Sequence, residues 1–268
     1  MRSTQRDGVP DSVVGRAFAL LSAFGQGDRT LSFAELSRRT GIGKATAHRL
    51  LHQMAEWNVV EVSADGVRIG MGLFELGLLA SRPFDLREAA TPFLADLYRA
   101  TGETVHLAVA EGLDVVYVQK LEGRNGPSMS SRVGGRMPAY CTGVGKALLA
   151  HAPDERVHAV LRQDLPRRTP RTVVARGLLE RELGRVRETG IAVEYEESMM
   201  GISCVASPIT AGGGHVVAAV SITGRANRID IPRLAPAVRT TALGISRSLD
   251  DRFDRNDRAL IWPRDRWR

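Results

Sequence analysis

Apolar residues recur at helical spacing in the N-terminal third of the chain. A first segment, residues 12–24, carries its apolar side chains at Val13, Ala17, Leu20, Leu21 and Phe24. A later segment, residues 44–57, carries them at Ala47, Leu50, Leu51 and Met54. Each spacing predicts an amphipathic helix with one buried face. Between the two segments, Ser32-Phe33-Ala34-Glu35 has the form of a capping box and predicts the start of a short helix that ends near Arg39.

Glycine turns connect these helices to one another and to a β-hairpin. Thr40-Gly41-Ile42-Gly43 separates the second helix from the third, and Gly41 is free to take a positive φ there. Beyond the third helix, Val59–Val62 and Val67–Ile69 flank the turn residues Ser63–Gly66. An Asp-Gly pair between alternating apolar residues is a strong hairpin signal. Two short helices, a glycine turn and a hairpin in this order predict a winged helix-turn-helix domain over residues 1–80.

The third helix is basic along its outer face. No acidic residue stands between Glu35 and Glu56, where the basic residues Arg38, Arg39, Lys44 and Arg49 occur. A local basic patch of this kind is what a DNA-reading helix requires. The predicted DNA-contacting residues are Ser32, Arg39, Lys44, Thr46, His48, Arg49 and Arg68. The alternative is a helical protein-interaction module whose charges are only solvated. His48 and His52 lie four residues apart, but no third metal ligand is near in sequence, so no metal site is expected.

Downstream, the pattern predicts a linker helix followed by strands alternating with helices. The linker helix spans residues 81–101 with Pro92 inside, so either Thr91 caps a fresh start or the helix is kinked there. The predicted strands are Thr104–Ala110, Asp114–Lys120, Ile191–Tyr195, Ile202–Ile209 and His215–Ile222. Further helices are predicted to begin near Thr142, Pro153, Ala175 and Ile231. Residues 102–250 are therefore expected to form an α+β domain with a mainly antiparallel sheet, and the charged tail at 251–268 is expected to be disordered.

Composition adds limits on compartment and on cysteine chemistry. The chain has 268 residues and a net charge of +7, a length that favours two domains. It contains no run of about 18 apolar residues that could span a membrane. The first residues lack the apolar middle region of a signal peptide, which predicts a cytoplasmic protein without a membrane partner. Cys141 and Cys204 are predicted to be free buried thiols rather than a disulfide.

The stretch CTGVGKALLA, residues 141–150, combines a Gly-Lys pair with an apolar helix and so raises the question of a nucleotide site. A P-loop requires a glycine five residues before its Gly-Lys pair and a hydroxyl residue after the lysine. Tyr140 and Ala147 hold those two positions instead. Magnesium would lack its hydroxyl ligand, and a nucleotide-binding loop is therefore not expected.

The start of this helix still suits an anion. Thr142 can cap it, and the amides of residues 143–145 are expected to be unpaired at the positive end of the helix dipole. Such a site is suited to a carboxylate. The alternative is that Gly143 and Gly145 only allow close packing of the helix on the sheet. Lys146 is expected to extend from the helix towards solvent, without contacting a ligand.

With these elements in place, the chain resembles the IclR family of bacterial transcriptional regulators over almost its whole length. The first motifs that carry the resemblance are KATAHRLL at 44–51 and TGETVHL at 101–107. The others are RVG at 132–134 with Met137-Pro138, TGVGKA at 142–147, GISCVASPI at 201–209 and VSITG at 220–224. The resemblance implies a GAF-like α/β effector-binding domain at 102–250. It also implies dimers formed through the N-terminal domains, often paired into tetramers, that control catabolic operons in response to small organic acids.

The resemblance and the helix start together define a predicted effector site. Its residues are Tyr140, Thr142, Gly143, Val144, Glu194, Met200, Ile202, Cys204 and Ser221. Gly143 departs from the alanine or serine of many family members, and Met199-Met200 precede Gly201, so the shape of the effector stays open. The rest of the pocket is expected to be apolar and adaptable, through Val144, Met199, Met200 and Ile202. We therefore expect an effector with one carboxylate and an apolar body, for which an aromatic ring is one candidate.

The predicted function is that of an operator-binding regulator that needs no cofactor. Glu194, Glu196 and Glu197 are interpreted as solvated charges rather than as acid–base catalysts. No Ser-His-Asp, Cys-His or metal-ligand constellation is legible, and nothing near Cys204 in sequence would activate a thiol, so an enzyme is not expected. The alternatives left open are a small-acid-binding enzyme with a helical appendage and an architectural DNA-binding protein without a ligand.

Overall fold

The computed structural model divides the chain into two units at residue 81. It describes residues 11–25, 27–79, 81–124, 126–127, 129 and 131–252. Of the predicted tail, residues 251 and 252 continue the last helix, and residues 253–268 lie outside the described residues. Within these ranges, no helix combines the length and the hydropathy that crossing a bilayer requires.

The first unit forms the predicted helices and hairpin in the predicted order. Its elements are α1 (Val13–Ser22), α2 (Phe33–Thr40), α3 (Lys44–Glu56), β1 (Val60–Ser63), β2 (Gly66–Ile69) and α4 (Met71–Leu78). Leu20, Leu36 and Leu51, one from each of the first three helices, are fully buried in a common core, and the winged helix-turn-helix architecture is confirmed. The sequence pattern does not predict α4. Apolar side chains such as Phe74 and Leu76 are exposed on this helix, so its apolar residues do not repeat at the spacing of one buried face.

Two turns of the first unit depend on glycine. Gly41 ends α2 with a φ of 70° and donates its amide to the Ser37 carbonyl, which is the left-handed helix ending expected from the sequence. Gly66 begins β2 with a φ of 127°, and a Cβ there would lie 2.6 Å from the Leu31 carbonyl oxygen. Leu31 exchanges two backbone hydrogen bonds with Val67, each of 2.8 Å. These bonds tie the segment before α2 to the hairpin.

The second unit is built on one antiparallel sheet. Its strands are β3 (Thr104–Glu111), β4 (Asp114–Leu121), β5 (Arg136–Pro138), β6 (Ala192–Tyr195), β7 (Ile202–Ala211) and β8 (His215–Arg225). Its helices are α5 (Ser81–Thr101), α6 (Gly143–Leu149), α7 (Asp154–Arg162), α8 (Arg176–Thr189) and α9 (Ile231–Arg252). The strands lie in the order β5-β4-β3-β8-β7-β6, with antiparallel neighbours throughout. The α+β class is confirmed, whereas β5 lies in a glycine-rich segment for which the pattern predicts no strand.

Helices cover both faces of this sheet. One face packs against α6, α7 and α8 in a core that includes Val144 and Leu179. The other face packs against α5 and α9 in a core that includes Leu94 and Ile245. Burial on both faces explains why β7 and β8 are apolar along most of their length rather than alternating with polar residues.

The helix predicted as a linker packs as part of the second unit. Leu86 and Leu94 of α5 are buried in the core on the α9 side of the sheet. The helix continues through Pro92, and Thr91 does not cap a new start, since its hydroxyl donates to the Arg87 carbonyl at 2.6 Å. Of the two alternatives for this proline, the fresh start is therefore wrong.

Candidate functional site

α3 turns its polar side chains away from the core. Lys44, His48 and Arg49 are exposed and Thr46 is half-buried. The opposite side is buried through Ala47, Leu50, Leu51 and Met54. Among the described residues, neither Lys44 nor Arg49 has an ion-pair partner. A cation without a partner on an exposed helix is available to a phosphate or to a guanine edge. The fold thus brings these predicted DNA-contacting residues onto one surface.

Two other predicted DNA-contacting residues, Ser32 and Arg39, have partners within the first unit. Ser32 is the N-cap of α2, and its Oγ accepts the Glu35 amide at 3.1 Å. The reciprocal half of the predicted capping box is replaced, because the Glu35 carboxylate pairs with Arg38 at 2.7 Å and with Arg39 at 2.6 Å. Arg39 also pairs with Asp28 at 2.5 Å. Its guanidinium therefore holds the segment before α2 in place.

Further side-chain pairings lie on the same unit. Arg68 on β2 pairs across the hairpin with Glu61, and both side chains are exposed. The Nε2 atoms of His48 and His52 lie 3.2 Å apart, and the His48 ring stacks on Phe33 with centroids 5.0 Å apart. In the part of the chain that the structure describes, no three or more His, Cys, Asp or Glu side chains are grouped so that they could hold a metal ion.

A cavity lies in the second unit beside the start of α6. Of the predicted effector-site residues, those that line it are Thr142, Gly143, Val144, Glu194, Ile202, Cys204 and Ser221. Met199, expected in the apolar part of the pocket, lines it as well. The lining residues that the sequence reasoning missed are His106, Tyr117, Met129, Ser131, Met137, Ser198 and Thr223. One of these had a signal, since Thr223 lies two residues beyond Ser221 on β8 and so on the same face.

Two predicted effector-site residues, Tyr140 and Met200, are not among the lining residues. Tyr140 is buried in the core, and its hydroxyl donates to the Pro166 carbonyl at 2.5 Å. Met200 is exposed, and of the two adjacent methionines only Met199 is among the described lining residues. In a turn, the spacing of residues does not show which of two adjacent side chains points inward, so the sequence predicts both in the pocket.

The start of α6 is packed closely against the rest of the unit. A Cβ on Gly143 would lie 2.7 Å from Cys204 Sγ, and one on Gly145 would lie 2.2 Å from the Ala139 carbonyl oxygen. The alternative interpretation was that Gly143 and Gly145 allow the helix to pack closely on the sheet, and this close packing is present. Thr142 caps the helix by accepting the Gly145 amide at 3.2 Å. The expectation that all three first amides are unpaired is thus wrong for Gly145.

His106 contributes neutral hydrogen-bonding atoms to the cavity wall. Its Nε2 lies 3.0 Å from Ser131 Oγ, and its Nδ1 lies 3.4 Å from Thr223 Oγ1. Its ring packs on Tyr117 with centroids 4.8 Å apart. Burial, together with the charge of Lys120, lowers the pKa of His106 to about 3. The imidazole is therefore uncharged at neutral pH and offers one donor and one acceptor.

Glu194, Glu196 and Glu197 do not form the solvated cluster expected from the sequence. Glu194 is 2% exposed and Glu197 is 4% exposed. Glu194 Oε1 accepts the amides of Glu197 at 2.6 Å and of Ser198 at 3.0 Å, while Glu196 pairs with Arg171 at 3.0 Å. Burial raises the pKa of Glu194 to about 7, against the opposing effect of these amides. At neutral pH both its protonated and its ionised forms are populated.

Lys146 does not extend towards solvent. Its side chain is 2% exposed, and its Nζ lies 2.5 Å from Glu197 Oε1 and 2.8 Å from Glu182 Oε2. Burial alone would lower the pKa of this ammonium, but the charges of Glu197 and Glu182 raise it. The surface location expected for Lys146 is wrong, because its partners stand 36 and 51 residues away in the chain and local spacing does not reveal them.

The two cysteines are free and buried, as predicted. Burial raises the pKa of Cys141 to about 12 and that of Cys204 to about 11. Both groups are therefore protonated at neutral pH, whereas the thiolate is the nucleophilic form. The charge of Arg168 near Cys141 and that of Lys146 near Cys204 oppose the rise in pKa without overcoming the effect of burial.

A winged helix-turn-helix unit with a basic helix face, followed by a helix-covered sheet with an internal cavity, defines a DNA-binding protein of the one-component regulator class. The IclR helix-turn-helix domain matches residues 13–64. The C-terminal domain of bacterial transcriptional regulator IclR matches residues 80–247. The chain belongs to the IclR family of bacterial transcriptional regulators.

Similar proteins of known role are regulators. The chain is 32% identical over 242 residues to the HTH-type transcriptional regulator XynR of Escherichia coli. The alignment covers 88% of this chain and 96% of XynR. It is 34% identical over 239 residues to the HTH-type transcriptional regulator KdgR of the same organism. That alignment covers 87% of this chain and 90% of KdgR. The protein is accordingly a DNA-binding transcriptional regulator and not an enzyme.

Solved structures of the family superpose on most of the chain. An IclR homologue from Microbacterium hydrocarbonoxydans complexed with 4-hydroxybenzoate has a TM-score of 0.83 at 30% identity, with 89% of this chain and 99% of the other covered. Thermotoga maritima IclR has a TM-score of 0.74 at 32% identity, with 88% and 98% covered. Both support the same two-unit fold.

Proposed function

We propose that this regulator reads operator DNA with the outer face of α3, controls a catabolic operon and responds to a small organic acid held in the cavity of its second unit. The cavity is the observation that carries the proposal, since its wall combines apolar side chains such as Val144 and Ile202 with hydroxyl and carboxyl groups. Small-molecule pockets have this composition. The structural relative complexed with 4-hydroxybenzoate, an aromatic monoacid, supports the same class of effector here.

Charge around the cavity favours an effector with a single carboxylate. None of the described lining residues is Lys or Arg, and Glu194 adds a negative charge when it is ionised. Like charges interact strongly in a site of low dielectric constant, so Glu194 would repel a second carboxylate. A single carboxylate can be bound by neutral donors, which Ser221, Thr223 and the start of α6 provide.

A panel of ligands tests the effector class. Thermal shift and isothermal titration would compare aromatic and aliphatic monoacids with their amides and with dicarboxylates. We expect the monoacids to bind most tightly, by roughly tenfold or about 1.4 kcal/mol. The proposal would be overturned if neutral compounds bound and none of the acids did.

A pair of serine variants ties binding to this cavity. Ser221→Ala removes a hydroxyl from the wall and should weaken acid binding. Ser207→Ala removes a similarly buried hydroxyl that does not line the cavity and instead donates to the Gly190 carbonyl at 2.9 Å. It should leave acid binding unchanged. Equal effects of the two substitutions would argue against this cavity as the site.

On DNA, we propose that Lys44 and Arg49 contact phosphates or guanine edges, with Thr46 and His48 near the bases. Arg49→Ala should weaken operator binding by about 1–3 kcal/mol without lowering the melting temperature, because the side chain is exposed and carries no core contact. Gel-shift titration on a genomic fragment selected by the wild-type protein measures this loss. Arg185→Ala, an exposed arginine on α8, is the matched control, and unchanged affinity for Arg49→Ala would refute the placement of α3.

We also propose that the first units mediate a homodimer, with a tetramer as the further assembly. Large apolar side chains on this unit are exposed, namely Val14 at 66%, Phe18 at 58% and Trp57 at 79%. Exposed apolar groups on neighbouring elements of this kind are typical of a protein interface. Sedimentation equilibrium of the full chain should give the mass of a dimer or a tetramer, and a monomer at micromolar concentration would contradict the proposal.

A further inference from the structure

The buried Lys146 and Glu197 form an ion cluster with the half-buried Glu182 behind the cavity wall. None of the three is among the described lining residues, so the cluster does not take part in contacting the effector. Buried ion pairs add little stability compared with apolar packing of the same volume. A role in holding one particular conformation is the better account of such a cluster, and its neighbours show which conformation is held.

Glu197 belongs to a short segment that forms one wall of the cavity, which we call the acidic turn (residues 194–199). Glu194, Ser198 and Met199 of this turn line the cavity. The amides of Glu197 and Ser198 donate to Glu194 Oε1 at 2.6 and 3.0 Å. The Glu194 carboxylate is therefore oriented by the same backbone that carries the Glu197 side chain.

Contacts from two directions hold the acidic turn. Thr169 Oγ1 donates to the Glu196 carbonyl at 2.6 Å, and Thr172 Oγ1 donates to the Glu197 carbonyl at 2.7 Å. From the other direction, Lys146 reaches the Glu197 carboxylate from α6 at 2.5 Å. The first residues of α6 line the cavity as well, so this ion pair connects two parts of the cavity wall directly.

We infer that Lys146 is a positioning residue for the effector cavity: by binding Glu197, it fixes the acidic turn relative to the start of α6. Glu182 completes the neutralisation of the ammonium from α8, and the described hydrogen bonds and ion pairs connect its side chain to Lys146 and not to the acidic turn. The inference rests on the proposed function for its ligand, whereas the geometry of the wall can be tested without one.

Cys204 supplies a ligand-free test, since it lines the cavity. Cys141 is 0% exposed in the core and reports global unfolding in the same sample. Labelling by methyl methanethiosulfonate at mildly alkaline pH is followed for each cysteine by peptide mass spectrometry. We expect Lys146→Met and Glu197→Gln to accelerate labelling of Cys204 roughly fivefold or more, with Cys141 unchanged, because local opening exposes only the wall.

The matched control is Glu182→Gln, which removes the other carboxylate partner of Lys146 and leaves the turn contact in place. It should change the Cys204 rate less than about twofold. Equal acceleration by Glu182→Gln, or no acceleration by Glu197→Gln, overturns the inference. If Lys146→Met accelerates both cysteines, that variant has unfolded and the isosteric Glu197→Gln decides alone.

Electrostatics alone predicts the opposite sign for Lys146→Met. Burial raises the pKa of Cys204, and the charge of Lys146 opposes this rise. Losing the ammonium would therefore reduce the thiolate fraction and slow the labelling. Faster labelling in this variant consequently reports access to the cavity and not a change in thiol acidity.

A second arm measures affinity for 4-hydroxybenzoate, or for whichever monoacid binds the wild-type protein most tightly. Glu197→Gln should weaken binding roughly tenfold and Glu182→Gln less than about twofold. Equal weakening by the two variants counts against a positioning role. If no acid binds the wild-type protein, the proposed effector class fails, while the labelling rates still decide the role of Lys146.

Discussion

Ionisation of Glu194 should destabilise the second unit as the pH rises through neutrality, and Glu194→Gln should remove that dependence. The carboxyl is 2% exposed, and burial raises its pKa from 4.5 to about 7. At about 1.4 kcal/mol for each pKa unit, this difference corresponds to about 3 kcal/mol of folding free energy. That is a large share of the stability of an ordinary domain.

The sign follows from where the proton is held. At a pH well below 4.5, the folded and unfolded states are both protonated and Glu194 does not reduce the free energy of unfolding. Between pH 4.5 and about 7, the unfolded chain ionises while the folded protein keeps its proton, so the free energy of unfolding falls as the pH rises. At higher pH both states are ionised and the loss is complete. Between about pH 5 and about pH 8 the expected loss is about 2–3 kcal/mol.

Urea unfolding followed by circular dichroism at those two pH values measures the effect. The buffers must be free of carboxylates, since acetate or citrate could enter the cavity. The wild-type protein should lose about 2–3 kcal/mol more than Glu194→Gln, whose amide does not ionise. Glu188→Gln, an exposed glutamate on α8, should behave like the wild type. Equal pH dependence in the wild type and Glu194→Gln would refute the raised pKa.

Two further predictions concern helix starts. Ser32→Ala should lower the free energy of unfolding of the first unit by about 1 kcal/mol, because the Glu35 amide loses its acceptor at 3.1 Å; an unchanged urea midpoint would show that this cap is dispensable. Gly143→Ala should destabilise the second unit by about 1–3 kcal/mol, since the new Cβ would lie 2.7 Å from Cys204 Sγ. In a double-mutant cycle, Cys204→Ala should relieve part of that loss, and strictly additive effects would contradict the collision.

Elements with a regular spacing of apolar residues could be predicted from the sequence, and elements defined by distant pairing could not. The hairpin β1–β2 shows its alternation and its Asp-Gly turn locally. In contrast, β5 is three residues long and exists through pairing with β4, where Val115 faces Met137. A strand that short has no period of its own.

The predicted cavity residues divide in the same way. Gly143, Cys204 and Ser221 could be found, since each lies in a motif that carries the family resemblance. His106 was missed because its place in the wall follows from its register opposite Ser221 on β8, more than one hundred residues further along the chain. Strand register between distant segments leaves no local mark, whereas Thr223 is brought beside Cys204 by the hairpin of β7 and β8 and shares a face with Ser221.

The charges behind the cavity wall bear on the class of ligand that the second unit suits. Glu182 and Glu197 contact the ammonium of Lys146, whose charge also opposes the rise in the pKa of Glu194. Burial raises the pKa of both Glu194 and Glu197, and the neighbouring carboxylates add to that rise. An anionic effector would add one more negative charge beside Glu194 and so favour its protonated form, which can donate a hydrogen bond to the ligand carboxylate where the ionised form repels it. If the second unit binds a monoacid as proposed, acid binding and proton uptake by Glu194 would be coupled at this wall. That coupling would allow a cavity with no Lys or Arg among its described lining residues to hold the acid at neutral pH.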